Sequence, residues 1–274
     1  MNLSDKLEIV NISDTGKRRP HNEDSTLSDA ENGLVVLADG MGGYKAGEVA
    51  SAIAVTDPHE LICSGLRKIK RAQLDKVTGL HSESVLVKEA IIQANSNIYN
   101  TAQEDPECQG MGTTIVVALF YSGIVTIAHV GDSRLYRKRA NNFEQITVDH
   151  SLIQELIARG LYTPEEAHAK TPKNLVTRAL GIDANVEVDV VEEPVIAGDI
   201  LLLCSDGLND MVDDEEIHLT LSKYSVNLAE AGQALVDLAN AKGGKDNISV
   251  ILIRALEGFS DSGGFFKQLI NRFR

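Results

Sequence analysis

The sequence predicts an α+β fold in which antiparallel β-sheets are layered against helices. The clearest observation is a pair of β-branched runs, residues 113–120 and 124–130, which Tyr121-Ser122-Gly123 separate with hairpin spacing. A second observation is that the predicted helices come in pairs between groups of strands, whereas a doubly wound parallel fold alternates them. No internal repeat is visible in the chain, which argues against a solenoid.

Apolar runs locate the strands in chain order. Residues 7–13 predict a first strand, and the run GLVVLADG at 33–40 predicts a strand buried on both faces. The remaining predicted strands are the two arms of the hairpin, a strand from Arg134, the run 199–204 and a last strand at 247–256.

Helical periodicity and breaker residues locate the helices. The predicted helices are residues 46–55, 83–102, 151–170 with breaks at Gly160 and Pro164, 213–221 and 227–241. The signal between residues 57 and 82 is weak, and we interpret its basic stretch GLRKIKRAQLDK as a solvated helix face.

Composition limits the possible functions. The 274 residues carry a formal net charge of −14, and this charge disfavours nucleic acid as a partner. The three cysteines lie far apart without a CxxC pair, so we expect no zinc knuckle and no disulfide framework. We recognise neither a signal peptide nor a run long enough to span a membrane, and we therefore expect a cytoplasmic protein.

The chain changes character near its end. We expect one catalytic domain over residues 1–256, followed by a linker and a short amphipathic segment over residues 257–274. In FFKQLINRFR the apolar residues share one helical face. A helix docked on the domain is favoured, and contact with a membrane surface is the alternative.

Aspartates stand repeatedly at the ends of apolar strands. Asp39, Asp132 and Asp206 each follow such a run, and Asp246 precedes one. Carboxylates brought together in a folded protein repel one another unless cations neutralise them. A ligand set made only of oxygen atoms favours Mg²⁺ or Mn²⁺ over zinc.

The stretch DTGKRRPHNEDS adds a second group of charged residues. Glu23 and Asp24 supply two further carboxylates, and Arg19 precedes Glu23 by four residues. A guanidinium beside an acidic metal site can bind two phosphoryl oxygens at once. The side-chain-free Gly40 leaves its carbonyl available as a ligand, and Gly42 and Gly43 permit a tight turn.

Seven motifs in this order resemble one family. They are RPHNED (19–24), DGMGG (39–43), GMGTT (110–114), GDSR (131–134), TRALG (177–181), SDGL (205–208) and KDNISV (245–250). From about Ile9 to Arg254 the chain resembles the metal-dependent serine/threonine protein phosphatases, or type 2C phosphatases, in their bacterial branch.

The resemblance implies a four-layer αββα sandwich, with two antiparallel sheets face to face and helices outside. It also implies two or three Mn²⁺ or Mg²⁺ ions. The metal-site residues it suggests are Glu23, Asp39 as the bridging ligand, the Gly40 carbonyl, Asp132 for a third ion, Asp206 and Asp246. Asp24 and Asn247 are expected to orient these ligands without binding the ions themselves.

The implied activity is hydrolysis of phosphoserine and phosphothreonine in proteins by direct attack of a hydroxide that bridges the metals, with no phospho-enzyme. The catalytic residues are then Asp39 and Arg19, which holds the phosphoryl group. Residues 150–173 match a variable flap, in which Tyr162 and His168 are candidates for substrate contact. Phosphorylated proteins and an opposing serine/threonine kinase are the implied partners.

Two departures from the family pattern concern the general acid. Met41 and Tyr44 stand where relatives carry histidines, so a metal-bound water is the default proton donor and His21 the second candidate. Two other functions stay open: a catalytically weak or inactive relative that binds phosphoproteins as a regulatory module, and a phosphatase for a small phosphorylated metabolite.

Overall fold

The computed structural model describes residues 2–42, 46–172 and 175–256, with only the backbone of His168. The strands are Leu7–Asp14 (β1), Asp24–Asp29 (β2), Leu34–Met41 (β3), Gly112–Thr113 (β4), Ile115–Tyr121 (β5), Ile124–Val130 (β6), Arg134–Arg139 (β7), Asn142–Gln145 (β8), Asp189–Pro194 (β9), Ile200–Cys204 (β10) and Ile248–Ala255 (β11). The helices are Ala46–Gly65 (α1), Ser82–Glu104 (α2), Leu152–Ala158 (α3), Pro164–Lys170 (α4), Asp206–Asn209 (α5), Asp214–Lys223 (α6) and Leu228–Ala241 (α7).

Two antiparallel sheets form the centre of the molecule. One sheet has the strand order β1-β11-β10-β7-β8, and the other has the order β2-β3-β5-β6-β9 with β4 paired to β3. The predicted hairpin is confirmed, because β5 and β6 pair from Tyr121 to Ile124 around Ser122 and Gly123, both with positive φ.

Three apolar clusters separate four layers. Val35 and Leu37 of β3 face the other sheet, where they share a cluster with Leu203 and Ile251. Because strand side chains alternate, the remaining apolar residues of β3 face α1 and α2 instead. Helices α6 and α7 cover the outer face of the other sheet. The predicted α+β sandwich of two packed antiparallel sheets with outer helices is confirmed.

Several elements differ from the prediction. Strands β2, β8 and β9 were not predicted, because all three lie at sheet edges and carry few apolar residues, and the four-residue helix α5 was not predicted either. Helix α1 continues ten residues beyond the predicted end at residue 55 and contains Pro58. Pro58 is buried, and packing of α1 against β3 and α2 outweighs the backbone hydrogen bond that a proline removes.

Helix starts follow local capping. Asp213 caps α6 and Thr163 caps α4, each in a capping box with the glutamate three residues later. No helix among the described residues is both long and apolar enough to cross a bilayer.

Candidate active site

Strand pairing brings two of the predicted carboxylates together. Asp39, near the end of β3, lies directly opposite Asp24, the first residue of β2. Cross-strand partners project to the same face of a sheet, and strand alternation gives Asp39 the face of Val35 and Leu37. Both carboxylates therefore lie at one end of the space between the two sheets.

The other sheet contributes two more carboxylates at the same end. Asp206 begins α5 directly after β10, and Asp246 lies just before β11, the neighbour of β10. Ser205 connects the sheets, because its hydroxyl donates to Asp24 Oδ2 at 2.8 Å. The antiparallel order of β10 and β11 thus explains why aspartates distant in sequence converge.

Asn247 fixes the loop that carries Arg19 and Glu23. Its amide nitrogen donates to the carbonyls of Thr15 and His21, both at 2.9 Å, and its Oδ1 accepts from the Glu23 backbone N–H at 2.8 Å. The Arg19 guanidinium donates to Asp246 Oδ2 at 2.6 Å. The loop and the strand end are therefore held as one unit.

Gly40 is required by close backbone packing. A Cβ at this position would lie 2.2 Å from the Gly47 carbonyl oxygen and 2.6 Å from the Glu23 carbonyl oxygen. A Cβ on Gly47 would in turn lie 2.9 Å from Glu23 Oε1. The first turn of α1 consequently lies against β3 and the Glu23 carboxylate, and Gly42 follows with a φ of +154°.

The hydroxyl groups of Thr113, Thr114 and Ser133 hold Asp39 and Asp132 in place, and the sequence analysis did not predict this role. The Asp39 N–H donates to Thr114 Oγ1 at 3.0 Å, and Thr113 Oγ1 donates to the Asp39 carbonyl at 2.8 Å. Thr114 Oγ1 also lies 2.7 Å from the hydroxyl of Ser133, the neighbour of Asp132. The motifs GMGTT and GDSR already contained these residues, so the signal was present in the sequence.

The carboxylates raise one another's pKa values. Burial, followed by the charges of Asp24, Asp206, Asp132 and Asp246, raises the pKa of Asp39 well above its usual range. Burial and neighbouring aspartates do the same to the pKa of Asp206.

Three further members of the group behave similarly. Burial raises the pKa of Asp24 to about 6, and burial together with the charge of Asp149 raises the pKa of Asp132 to about 6. The pKa of Glu23 is also raised, mainly by burial and despite the opposing charge of Arg19.

This set of donors fits hard divalent cations. Oδ1 of Asp24 is buried and has no hydrogen-bond partner among the described residues. Among the described residues, the pair of Arg19 with Asp246 is the only ion pair within the group. One arginine supplies far too little positive charge to balance six carboxylates. Carboxylate and carbonyl oxygens that repel one another are the environment Mg²⁺ and Mn²⁺ prefer.

A cleft of about 590 Å³ opens beside this group. Asp132 and Asp206 line it together with Asp149, Asp210 and Asp214, so its wall is acidic. Arg134 forms part of the wall, and its Nε and Nη2 donate to the Asp149 carboxylate. The cleft is thus continuous with the carboxylate group.

The predicted flap forms another wall of the cleft. Its contribution comes from Ile153, Gln154 and Ile157 of α3 and from Pro164 of α4. Tyr162 is not among the described lining residues, and its ring lies 5.0 Å from Lys170 Nζ. The side chain of His168, Tyr44 and the segment 257–274 lie outside the described residues.

Comparison with known proteins identifies the family. The sequence profile described as "Protein phosphatase 2C" matches residues 17–241. The chain is 41% identical to the serine/threonine phosphatase stp of Listeria welshimeri over 243 residues, which cover 88% of this chain and 92% of the relative.

Two solved structures are similar over nearly their whole length. Serine/threonine phosphatase Stp1 from Staphylococcus aureus has a TM-score of 0.78 and 37% identity, with 94% of this chain and 98% of Stp1 covered. The catalytic domain of the serine/threonine protein phosphatase PstP, in complex with two manganese ions, has a TM-score of 0.77 and 36% identity, with 92% and 99% covered. The chain therefore belongs to the protein phosphatase 2C family.

Proposed function

We propose that this member of the protein phosphatase 2C family is a metal-dependent enzyme that hydrolyses phosphoserine and phosphothreonine in proteins. The observation that carries the proposal is the group of carboxylates from both sheets, with one arginine at its edge and an acidic cleft beside it. The relatives named serine/threonine phosphatases support the same activity.

We assign the ion ligands to carboxylates that the two sheets bring together at this end of the molecule. Asp39, the Gly40 carbonyl, Asp206 and Asp246 form the central set, Glu23 lies beside Gly40, and Asp132 serves a third ion. Bound Mn²⁺ or Mg²⁺ ions would supply the Lewis acidity that makes an attacking water acidic near neutral pH. The manganese ions in the PstP structure support this choice of metal.

Asp24 and Asn247 act as positioning residues. Asp24 lies opposite Asp39 and accepts the Ser205 hydroxyl, so it fixes the relation between the two sheets at the site. Asn247 holds both ends of the loop around Arg19 through its amide. Each ligand-bearing segment is therefore tied to a strand rather than left on a free loop.

Arg19 binds the phosphoryl group. About half of its side chain is exposed, and the bond to Asp246 uses only one of its nitrogen atoms. The remaining N–H groups form a fork that matches two phosphoryl oxygens. Arg19 thereby orients the phosphorus for in-line attack and offsets the charge on its equatorial oxygens.

We assign transfer of the phosphoryl group directly to water, and no cysteine of the chain is placed to attack it. Cys204 is fully buried in β10, Cys108 is buried, and Cys63 belongs to the far end of α1. Met41 has no proton to donate to the leaving alkoxide, so we assign that proton to a water at the site. His21 is the second candidate, since its charge acts on Glu23.

We assign the chain to the bacterial cytoplasm, where phosphorylated proteins are the substrates and a serine/threonine kinase adds the phosphate. Residues 1–256 form the catalytic domain, and the segment 257–274 lies outside the described residues. The α3–α4 flap contacts the substrate protein: α3 lines the cleft, and Tyr162, outside the described lining, and His168 are the candidate contacts from the rest of the flap.

The test uses the full chain after treatment with a chelator. Phosphate release from phosphothreonine and phosphoserine peptides should be absent, and Mn²⁺ should restore it. Phosphopeptide binding without phosphate release would overturn the proposal in favour of a binding module. Faster turnover of small phosphorylated metabolites than of phosphopeptides would overturn the assignment of protein substrates.

A further inference from the structure

We propose that Asp29, His59 and Cys63 form a second metal site, suited to a thiolate-binding divalent ion such as Zn²⁺, remote from the carboxylate group. Asp29 is the last residue of β2, whereas Asp24 at the active site is the first. At a rise of roughly 3.3 Å per residue, these two ends of β2 are about 17 Å apart.

The three side chains already converge on one point. The ligand atoms of Asp29, His59 and Cys63 all lie within 4.8 Å of one another. His59 Nε2 lies 3.0 Å and Cys63 Sγ 3.6 Å from Asp29 Oδ2. Ligand atoms at tetrahedral zinc distances are separated by roughly 3.3–3.8 Å, so an ion requires only small side-chain movements.

The local structure fixes this arrangement. His59 and Cys63 are four residues apart in α1 and therefore occupy one face of the helix. Asn32 orients the Asp29 carboxylate, because its backbone N–H donates to Oδ1 at 3.0 Å and its amide donates to Oδ2 at 2.8 Å. Such outer hydrogen bonds orient ligands in known metal sites.

The site is open enough for an ion to enter. The His59 side chain is 31% exposed and that of Asp29 is 18% exposed. Three protein ligands leave the fourth tetrahedral position to water. A carboxylate, an imidazole and a thiolate together favour zinc over Mg²⁺, because thiolate and imidazole are poor ligands for hard ions.

Binding of an ion at this site displaces the proton of the Cys63 thiol. Burial and the neighbouring Asp29 raise the pKa of the Cys63 thiol to about 11, and Arg67 opposes this only in part. The thiol is therefore protonated when no ion is bound. Metal binding forms the S–metal bond and releases the Cys63 proton to solvent.

A second cluster of potential metal ligands differs from this one, because a positively charged side chain already lies among its ligand atoms. His129, His150 and Asp189 also bring their ligand atoms together. Arg178 Nη1 lies 3.0 Å from His150 Nε2 and 2.9 Å from Asp189 Oδ1, so a guanidinium occupies the position of a metal. Among the described residues the ion pair of Asp29 is with His59, itself a proposed ligand, and no Lys or Arg forms an ion pair with Asp29 in the position of a metal.

The experiment uses Co²⁺ as a spectroscopic substitute for zinc in the full chain saturated with Mg²⁺. We expect a near-ultraviolet thiolate-to-cobalt charge-transfer band that saturates at one ion per chain and disappears when Zn²⁺ is added. Co²⁺ at the carboxylate group gives no such band, because its ligands there are oxygen atoms.

Two variants and one matched control locate the band. Cys63→Ser should abolish it, and His59→Gln should weaken Co²⁺ affinity by about tenfold or more. Cys108→Ser is the control, because Cys108 also contacts an aspartate, Asp105, but lacks a histidine partner and should leave the band unchanged. Far-ultraviolet circular dichroism verifies that each variant is folded. Absence of the band, or a band that survives Cys63→Ser, would overturn the proposal.

Discussion

Strand β2 begins and ends on an aspartate, and the two carboxylates have opposite surroundings. Asp24 faces other carboxylates, one of its oxygens has no partner among the described residues, and its pKa is raised to about 6, chiefly by burial. At Asp29 burial acts in the same direction, but hydrogen bonds from Asn32, His59 and Cys63 outweigh it and lower the pKa.

The difference separates a site that needs ions from one that can accept an ion. The described residues do not balance the negative charge around Asp24. Bound cations must therefore balance it to relieve the repulsion in the folded state at neutral pH. Asp29 is already satisfied by hydrogen bonds, and a metal there replaces the proton on Cys63. The two ends are therefore expected to respond differently to chelators, pH and mutation.

The largest expected effect comes from Asp39→Asn. Loss of this central carboxylate should lower kcat by about 10³-fold or more, because metal ions contribute several kcal/mol of transition-state stabilisation. In the chelator-treated protein the same change should raise Tm, since it removes a charge from a repelling group. Both effects are measured with phosphopeptide kinetics and thermal unfolding.

Asp199→Asn is the matched control for stability. Asp199 is only 1% exposed, as buried as any aspartate in the fold, but it pairs with Arg139 through two nitrogen atoms. Its replacement should lower Tm with or without metal. Turnover by Asp39→Asn at the wild-type rate, or a fall in its metal-free Tm, would remove the distinction between the two kinds of carboxylate.

The pH dependence of the metal-free protein is the second effect. The folded pKa of Asp132 is about 6, above the unfolded value near 3.9, so this carboxyl stabilises the fold at low pH and loses that contribution as pH rises. From about pH 5 to pH 7.5 the loss amounts to about 1 kcal/mol. Thermal unfolding in the presence of a chelator measures it.

Asp132→Asn removes this contribution together with the charge by which Asp132 raises the pKa values of Asp39 and Asp206. His129 and His150 have lowered pKa values, chiefly because of burial, and they add a slope of opposite sign in both proteins. The variant should therefore gain stability relative to wild type as pH rises, and Mn²⁺ should reverse the order. If the difference in stability between the variant and wild type did not change with pH, the pKa of Asp132 would not be raised in the folded protein.

Arg19→Ala should have the third effect, on substrate binding. We expect KM for a phosphopeptide to rise by about tenfold or more, because hydrogen bonds to charged groups are worth about 1.5–3 kcal/mol. Arg19→Lys should recover only part of the loss, since it keeps the charge but not the fork. Arg18→Ala is the control, because among the described residues Arg19, and not Arg18, forms an ion pair with a carboxylate of the site; the KM of this variant should equal that of wild type. Equal kinetic constants for Arg19→Ala and wild type would exclude Arg19 from the site.

The sequence was informative where an apolar strand ends on a charged residue. Asp39, Asp132, Asp206 and Asp246 stand beside such runs, so their membership of one site could be argued before the sheets were known. Asp24 was harder, because its strand DSTLSD has a single large apolar residue and its pairing with β3 does not appear in any periodicity.

The second metal site could not be predicted for a related reason. The four-residue spacing of His59 and Cys63 indicates a shared face only if the helix continues past Pro58, and proline ordinarily argues against that. Thr113, Thr114 and Ser205 stand in motifs that the sequence showed, but the contacts of their hydroxyls could not be predicted, since their partners lie on other strands. Periodicity reports burial, whereas these contacts depend on register between strands.

The smallest effect is expected for Cys204→Ser, which tests whether the acidic end of the sheets uses a thiol. Cys204 is fully buried, its pKa is raised to about 12 mainly by burial, and its Sγ contacts Asn209 Oδ1 at 3.7 Å rather than any carboxylate of the site. The variant should keep kcat within about twofold and lose about 1–3 kcal/mol of unfolding free energy, because a hydroxyl is costlier to bury than a thiol.

Cys204→Ala supplies the comparison, since it removes the sulfur without adding a polar atom and should also retain kcat. Phosphopeptide kinetics and chemical denaturation measure the two effects separately. A loss of kcat in both variants at unchanged stability would assign chemistry to the thiol. That result would contradict direct attack by water, because a nucleophilic cysteine requires a lowered pKa and access to the substrate.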